Sequence, residues 1–165
     1  MVEPIHLTKE SNKRLQRSLL MFYTGTTRKT GTILGEQKKN LESSSEKFAS
    51  MQRMVELVPM LRDALYQGDI TAFGEILHEN WSLKQALASG ITDAHINAIY
   101  ERAIGAGAIG GKLLGAGGGG FMLFCCQESN HHQLRKELSE LRELKFKLEN
   151  EGSRIIHVGD EYDEV

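Results

Sequence analysis

"GGKLLGAGGGGFMLF", residues 110–124, decides how this chain is read. Nine of the sixteen residues from Gly105 to Gly120 are glycine, and the run leads straight into Phe121, Met122, Leu123 and Phe124. Glycine gives up more backbone freedom on folding than any other residue, so such a run between ordered elements needs a use. Residues 117–120 are four residues without Cβ in succession. That makes positive φ accessible and lets a phosphate or another stretch of backbone come close. A tight helix-to-strand turn needs fewer glycines, which points to close contact with a ligand or a second backbone.

Outward from the run, residues 121–126 read as a buried strand, as do residues 19–23, Leu-Leu-Met-Phe-Tyr. Thr26 or Thr27 can cap a helix through about Lys39. The serines at 43–45 offer caps for a longer helix, on which Phe48, Met51, Val55, Val58, Leu61 and Leu65 recur at three- and four-residue steps. Pro59 falls inside that pattern and should kink or split it. Asp69 caps a third helix carrying Phe73, Leu77 and Trp81, and Thr92 a fourth carrying Ile96, Ile99 and Tyr100. Residues 131–144 read as a helix. Residues 145–148 and 153–158 read as two closing strands around a turn at Asn150, Glu151 and Gly152. Residues 1–9 show little periodicity. Strands at both ends with helices between them predict an α+β fold: a mostly antiparallel four-stranded sheet with helices packed on one face, in one domain over residues 1–165.

Composition narrows the function. The 165 residues are 40% hydrophobic and 25% charged, ordinary for a globular domain, and the net charge of −2 gives no support to nucleic-acid or anionic-membrane binding. No apolar run approaches a membrane span and no leader is apparent, so a cytoplasmic protein is expected. Cys125 and Cys126 are adjacent in a strand, pointing to opposite faces as free buried thiols. No spacing resembles a metal site.

Three glycine motifs compete for the run. A P-loop needs Ser or Thr after Gly-Lys, and here Leu113 follows Lys112 while Ala106 stands where the first glycine belongs. The dinucleotide fingerprint fits twice, at Gly105, Gly107 and Gly110 and at Gly115, Gly117 and Gly120. It requires a strand before and a helix after, and this run has the reverse polarity. The protein-kinase loop lacks its Val-Ala-x-Lys and His-Arg-Asp companions.

Lys112-Leu113-Leu114-Gly115-Ala116-Gly117-Gly118-Gly119-Gly120-Phe121 resembles the third signature motif of the GHMP kinases. In that superfamily the motif lies in the C-terminal domain between a helix and a strand, against the phosphate loop of the N-terminal domain. "LLMFYTGTTR" (19–28), "LHENWSLKQALASGIT" (77–92) and "FKLENEGSRII" (146–156) extend the resemblance to the sugar-phosphate branch, the heptose 7-phosphate kinases above all. It implies the C-terminal part of an ATP-dependent kinase acting on a heptose phosphate. Gly115, Ala116, Gly117, Gly118, Gly119 and Gly120 would then wall the nucleotide pocket. ATP and Mg²⁺ would be held mainly by an N-terminal domain, because the Gly-Leu-Ser-Ser-Ser loop and the acidic residue of complete members are absent here. The serines at 43–45 lack the preceding glycine. The chain therefore reads as part of an enzyme, inactive alone, whose partners are the N-terminal kinase domain and a sugar phosphate. A bared docking face would favour homo-oligomers.

On the substrate side, Thr24, Gly25 and Arg28 follow a strand and open a helix, where free amides and a guanidinium suit a sugar phosphate. Lys84 shares a helix face with His78 and Trp81 and can neutralise a phosphate, while Trp81 itself reads as core. No catalytic group is visible, and His6, His95 and His157 have no evident partner. The alternative is a non-catalytic α+β module binding a ligand or partner through the same surface.

Overall fold

The computed structural model describes residues 4–26, 30–149 and 155. Thr8 accepts a hydrogen bond from Ser11 N (3.0 Å) and caps helix α1, Lys9–Ser18, which runs directly into strand β1, Leu19–Tyr23. Sequence reading missed α1 because, in ten residues, only Leu15 and Ser18 are buried, too few to show a period. Helix α2 spans Thr30–Ser43; of its two expected caps, Thr26 lies four residues before the helix and Thr27 is outside the described residues. Ser44 caps α3, Ser45–Gln67, which Gly68 ends with φ +65°.

Helix α3 runs unbroken through Pro59, so the expected split does not occur. Pro59 and Val55, whose carbonyl loses its partner to the ring, both lie on the exposed side of the helix. Water can satisfy that carbonyl there, so the proline costs less than in a core. Asp69 caps α4, Ile70–Gln85, through Ala72 N (3.0 Å), as expected. Asp93, not Thr92, caps α5, Ala94–Gly105, through Ile96 N (2.9 Å). The Thr92 hydroxyl instead donates to Asn97 Oδ1 at 2.5 Å.

Strand β2, Ala108–Leu113, lies inside the glycine run that had read as a connection, and strand β3, Phe121–Cys126, follows it. Helix α6 covers His131–Glu137, shorter than expected, and β4 is the pair Arg142–Glu143. The expected strand at 145–148 is not a strand. It has no regular secondary structure and is tied to α1, with Gln16 Nε2 donating to Phe146 O (3.1 Å) and Leu148 N donating to Gln16 Oε1 (2.6 Å). The strand expected at 153–158 lies outside the described residues apart from Ile155, which is exposed.

The fold class is as expected, α+β on a four-stranded antiparallel sheet, in the order β2-β3-β1-β4. Leu20 sits opposite Phe124 and Phe22 opposite Met122. The face they share with Cys126 packs on Trp81, Ile96, Ile99, Tyr100, Leu134 and Leu138, the main core. The reverse face is half-open at Tyr23 and Phe121, whose rings lie 5.3 Å apart. Its other end is covered, because Leu19 and Cys125 join Leu15, Phe73 and Leu77 in a second cluster. The adjacent cysteines thus enter different clusters and are free, and burial pushes the Cys125 thiol up to about 12. No helix among the described residues is long and apolar enough to cross a membrane.

Candidate functional site

The glycine run divides into two structural jobs. In its first half, Gly110 lies against α4: a Cβ there would sit 2.0 Å from Gly74 O and 2.9 Å from His78 N. Gly74 is reciprocally tight, since its own Cβ would come within 2.7 Å of Ile109. Two backbones approach where ordinary side chains would hold them apart, which is how β2 lies beneath α4.

The second half, residues 114–120, is the loop of the β2–β3 hairpin, closed by Leu114 N donating to Phe121 O at 2.8 Å. Gly115, Gly117, Gly118, Gly119 and Gly120 all have positive φ, between +77° and +137°, which side chains other than glycine resist. Two anchors hold it. Gly118 N donates to Ile91 O (2.9 Å), with Gly117 pressed on the Ile91 backbone. Gly120 N donates to Thr26 O (2.7 Å), and a Cβ at Gly119 would fall 2.4 Å from that same oxygen. The second backbone read from the sequence therefore belongs to this chain. Gly115 and Gly120 face open space, with no atom within 4 Å of an added Cβ. The N–H groups of Gly115, Ala116, Gly117 and Gly119 donate to no acceptor among the described residues.

Thr24 ends β1 against this loop, fully buried. Its Oγ1 donates to Gly120 O (3.0 Å) and accepts from Gly120 N (3.1 Å), and its own N donates to Gly120 O (2.8 Å). The hydroxyl is thus engaged in fixing the hairpin loop. His95 completes the arrangement: its Nε2 lies 2.9 Å from Thr24 O, and a carbonyl can only accept, so Nε2 carries the proton. Gly25 is exposed with φ +80°, free of neighbours within 4 Å of an added Cβ. Arg28 lies outside the described residues.

On the other flank, Lys84 Nζ donates to Gly115 O at 3.3 Å. Burial lowers the pKa of its ammonium, and the charge of Lys112 lowers it further. The helix face carrying His78, Trp81 and Lys84 spreads over three environments. Lys84 reaches the loop, and Trp81 is core, with Nε1 unpartnered among the described residues. His78 Nδ1 meets Tyr100 Oη at 2.7 Å. Burial pushes the Tyr100 phenol up to about 12, against a smaller opposing effect of the Gly111 backbone.

The structure therefore brings Thr24, the loop glycines and Lys84 together at one end of the sheet. Sequence reading missed His95, Ile91 and Lys112. His95 had a signal of sorts, a polar residue on the first turn of a helix expected to pack on the sheet; Ile91 acts only through its backbone and had none. Among the described residues no group of three His, Cys, Asp or Glu side chains could hold a metal ion, whereas the open loop amides suit phosphate oxygens.

Comparison with known proteins agrees with this geometry. Residues 61–148, just over half of the chain, match the family described as GHMP kinases C terminal. D-glycero-alpha-D-manno-heptose 7-phosphate kinase of Campylobacter jejuni is 26% identical over 116 residues, covering 70% of this chain and 34% of that protein. The chain thus spans about a third of that curated relative. The solved D-glycero-D-manno-heptose 1-phosphate kinase of Bacteroides thetaiotaomicron shares the fold at 20% identity and a TM-score of 0.57, covering 89% of this chain and 38% of that one. Phosphomevalonate kinase of Streptococcus pneumoniae, in complex with phosphomevalonate and AMPPNP, shares it at 19% identity and a TM-score of 0.60, covering 74% of this chain and 36% of that one. A hairpin of glycines clamped between a strand end and a helix entry, within an α+β sheet matched over residues 61–148, places this chain in the GHMP kinase family, as its C-terminal domain.

Proposed function

We propose that residues 1–165 form the C-terminal domain of an ATP-dependent sugar-phosphate kinase, with a heptose phosphate as acceptor. The observation that carries this reading is the clamped loop at 114–120, whose buried side is spent on Thr24, Thr26 and Ile91 while Gly115 is exposed and the amides of Gly115 and Ala116 have no acceptor among the described residues. In the proposed enzyme the loop walls the nucleotide pocket against the phosphate loop of an N-terminal domain, while its Gly115 end, where Lys84 is bound, turns toward the acceptor. Phosphoryl transfer depends mostly on positioning and electrostatic stabilisation, and ATP with Mg²⁺ supplies the transferable group and its charge neutralisation. The residues of this chain exclude water, set the loop and offer N–H donors. Thr24 and His95 position the loop, Gly25 and Lys84 serve the acceptor side, and Arg28 is a further candidate for it. The similarity to a heptose 7-phosphate kinase supports the choice of acceptor.

The test is ADP release with D-glycero-D-manno-heptose 7-phosphate, by the chain alone and by the chain fused behind an N-terminal GHMP kinase domain. We expect no turnover alone and ADP release from the fusion, with mevalonate and galactose inert as acceptors. Turnover by the chain alone, or a fusion that prefers mevalonate, overturns the proposal. The same preparation tests self-association: α3 leaves Phe48, Val55 and Val58 more than half exposed, and a strictly monomeric species across a wide concentration range in light scattering removes that expectation.

A further inference from the structure

Lys84 and Lys112 are two cations brought together beside the open end of the glycine loop. Lys84 lies on the last turn of α4, and its Nζ is held 3.3 Å from Gly115 O. Lys112 comes from β2, near enough for its charge to act on Lys84. Gly110 rides on α4 against Gly74 and His78. Residues two apart in a strand share a face, about 7 Å along it. Lys112 therefore points to the α4 side, one step nearer the helix end where Lys84 stands. Both side chains are half-buried, and neither pairs with a carboxylate among the described residues. By contrast Arg53, Arg102 and Arg135 each have an acidic partner within 3.0 Å.

Such a pair is unfavourable as it stands, since like charges repel and burial strips water from them. The fall in the Lys84 pKa, caused first by burial and then by Lys112, agrees with that proximity. Gly115 adds space and a donor: nothing lies within 4 Å of its missing Cβ, and its N–H, like that of Ala116, is unspent among the described residues. A phosphate monoester near neutral pH carries close to two negative charges and three acceptor oxygens, which match two ammonium groups and two amides.

We infer that Lys84 and Lys112, with the amides of Gly115 and Ala116, form a subsite for the phosphate monoester that the sugar acceptor already carries. The inference rests on the sugar-phosphate reading above and identifies, within this chain, what tells a sugar phosphate from a free sugar. A nucleotide polyphosphate offers similar oxygens, so the test separates the two sources.

Inorganic phosphate, D-mannose 6-phosphate, D-mannose and ATP are titrated into the chain at constant ionic strength, with backbone amide shifts followed by NMR. D-Mannose 6-phosphate and inorganic phosphate should move the Gly115 and Ala116 signals, and D-mannose should not. Lys84→Gln and Lys112→Gln should each weaken D-mannose 6-phosphate binding roughly fivefold, about 1 kcal/mol. The double variant should abolish the response, with melting curves confirming the fold. Undiminished binding in the folded double variant overturns the assignment, as does ATP binding there more tightly than the monoester. Should the variants fail to fold, the wild-type map still decides: shifts centred on Arg17 and Lys145 instead of Gly115 overturn it. Kinase turnover plays no part in this readout, so its failure and the failure of the fusion assay are distinguishable.

Discussion

The two halves of the glycine run use the same residue for different ends. At Gly110 the missing side chain is replaced by the backbone of α4, and the contact is internal and continuous with the core. At 114–120 the glycines are needed for positive φ, and only one side of the loop is filled, by Thr26 and Ile91. The first half serves folding and the second presents a surface. Glycine content alone does not separate the two uses; what separates them is whether the space vacated by Cβ is occupied by the chain itself.

The largest effect should come from the occupied half. Gly110→Ala puts a methyl 2.0 Å from Gly74 O, a backbone atom inside a helix that cannot rotate away. Overpacking of this kind costs typically 1–3 kcal/mol, occasionally more, and a clash with backbone belongs at or beyond the upper end. At about 3 kcal/mol the melting temperature of a chain this size falls by roughly 6–12 °C. A calorimetric scan showing a fall of less than about 2 °C would mean that β2 slides freely under α4 and that the comparison fails.

Gly119→Ala comes next. It combines a φ of +137° with a Cβ 2.4 Å from Thr26 O. Strained backbone costs of order 1–3 kcal/mol, but the Thr26 segment is exposed and can yield, so about 2 kcal/mol is expected in urea unfolding. Because Gly120 N donates to Thr26 O, the displacement should also be visible as loss of the Thr24 and Gly120 amide signals from their native positions.

Alkaline pH probes the buried side without mutation. Burial raises Cys125 from an ordinary value of 9.0, and Tyr100 from 10.0, each to about 12. Groups whose folded pKa lies above the unfolded one contribute stability that is fully present below the unfolded pKa and lost as pH rises toward the folded value. Stability should therefore hold to about pH 8.5 and fall between roughly pH 9 and 12, by on the order of 2 kcal/mol at pH 10. Urea midpoints at pH 8, 9.5 and 11 test this. A flat series would mean that both groups stay accessible to water.

Much of this was legible from the residues. Phe121 to Cys126 and Leu19 to Tyr23 declared themselves as strands because both faces meet apolar groups, and Ser44 and Asp69 marked helix starts by their capping chemistry. Strand β2 did not, since Gly110 and Gly111 erase the side-chain alternation on which strand reading depends, and they do so because other backbone fills their space. In the site, Lys84 and the loop glycines were legible. Ile91 acts through its backbone carbonyl, which every residue carries, so no residue type announces it, and His95 showed itself only as a polar residue on a first helical turn, without its partner Thr24 O.

The smallest expected change in stability is at the open end of the loop, and it cuts the comparison most finely. Gly115 has a φ of +86° yet nothing within 4 Å of its missing Cβ. Gly115→Ala should therefore carry only the conformational cost of holding alanine at positive φ, about 1 kcal/mol, a fall of roughly 2–4 °C in melting temperature. The methyl projects into the space that Lys84 and the loop amides border, so a phosphate approaching there meets it. Binding of D-mannose 6-phosphate should weaken by more than the stability loss alone would suggest, about tenfold, or 1.4 kcal/mol. Gly119→Ala should show the reverse balance, larger in stability and smaller in direct steric effect. Measuring melting temperature and phosphate affinity for both variants gives four numbers whose ordering is fixed by the geometry. If Gly115→Ala leaves phosphate affinity untouched while costing as much stability as Gly119→Ala, the open half of the loop serves the fold just as the closed half does.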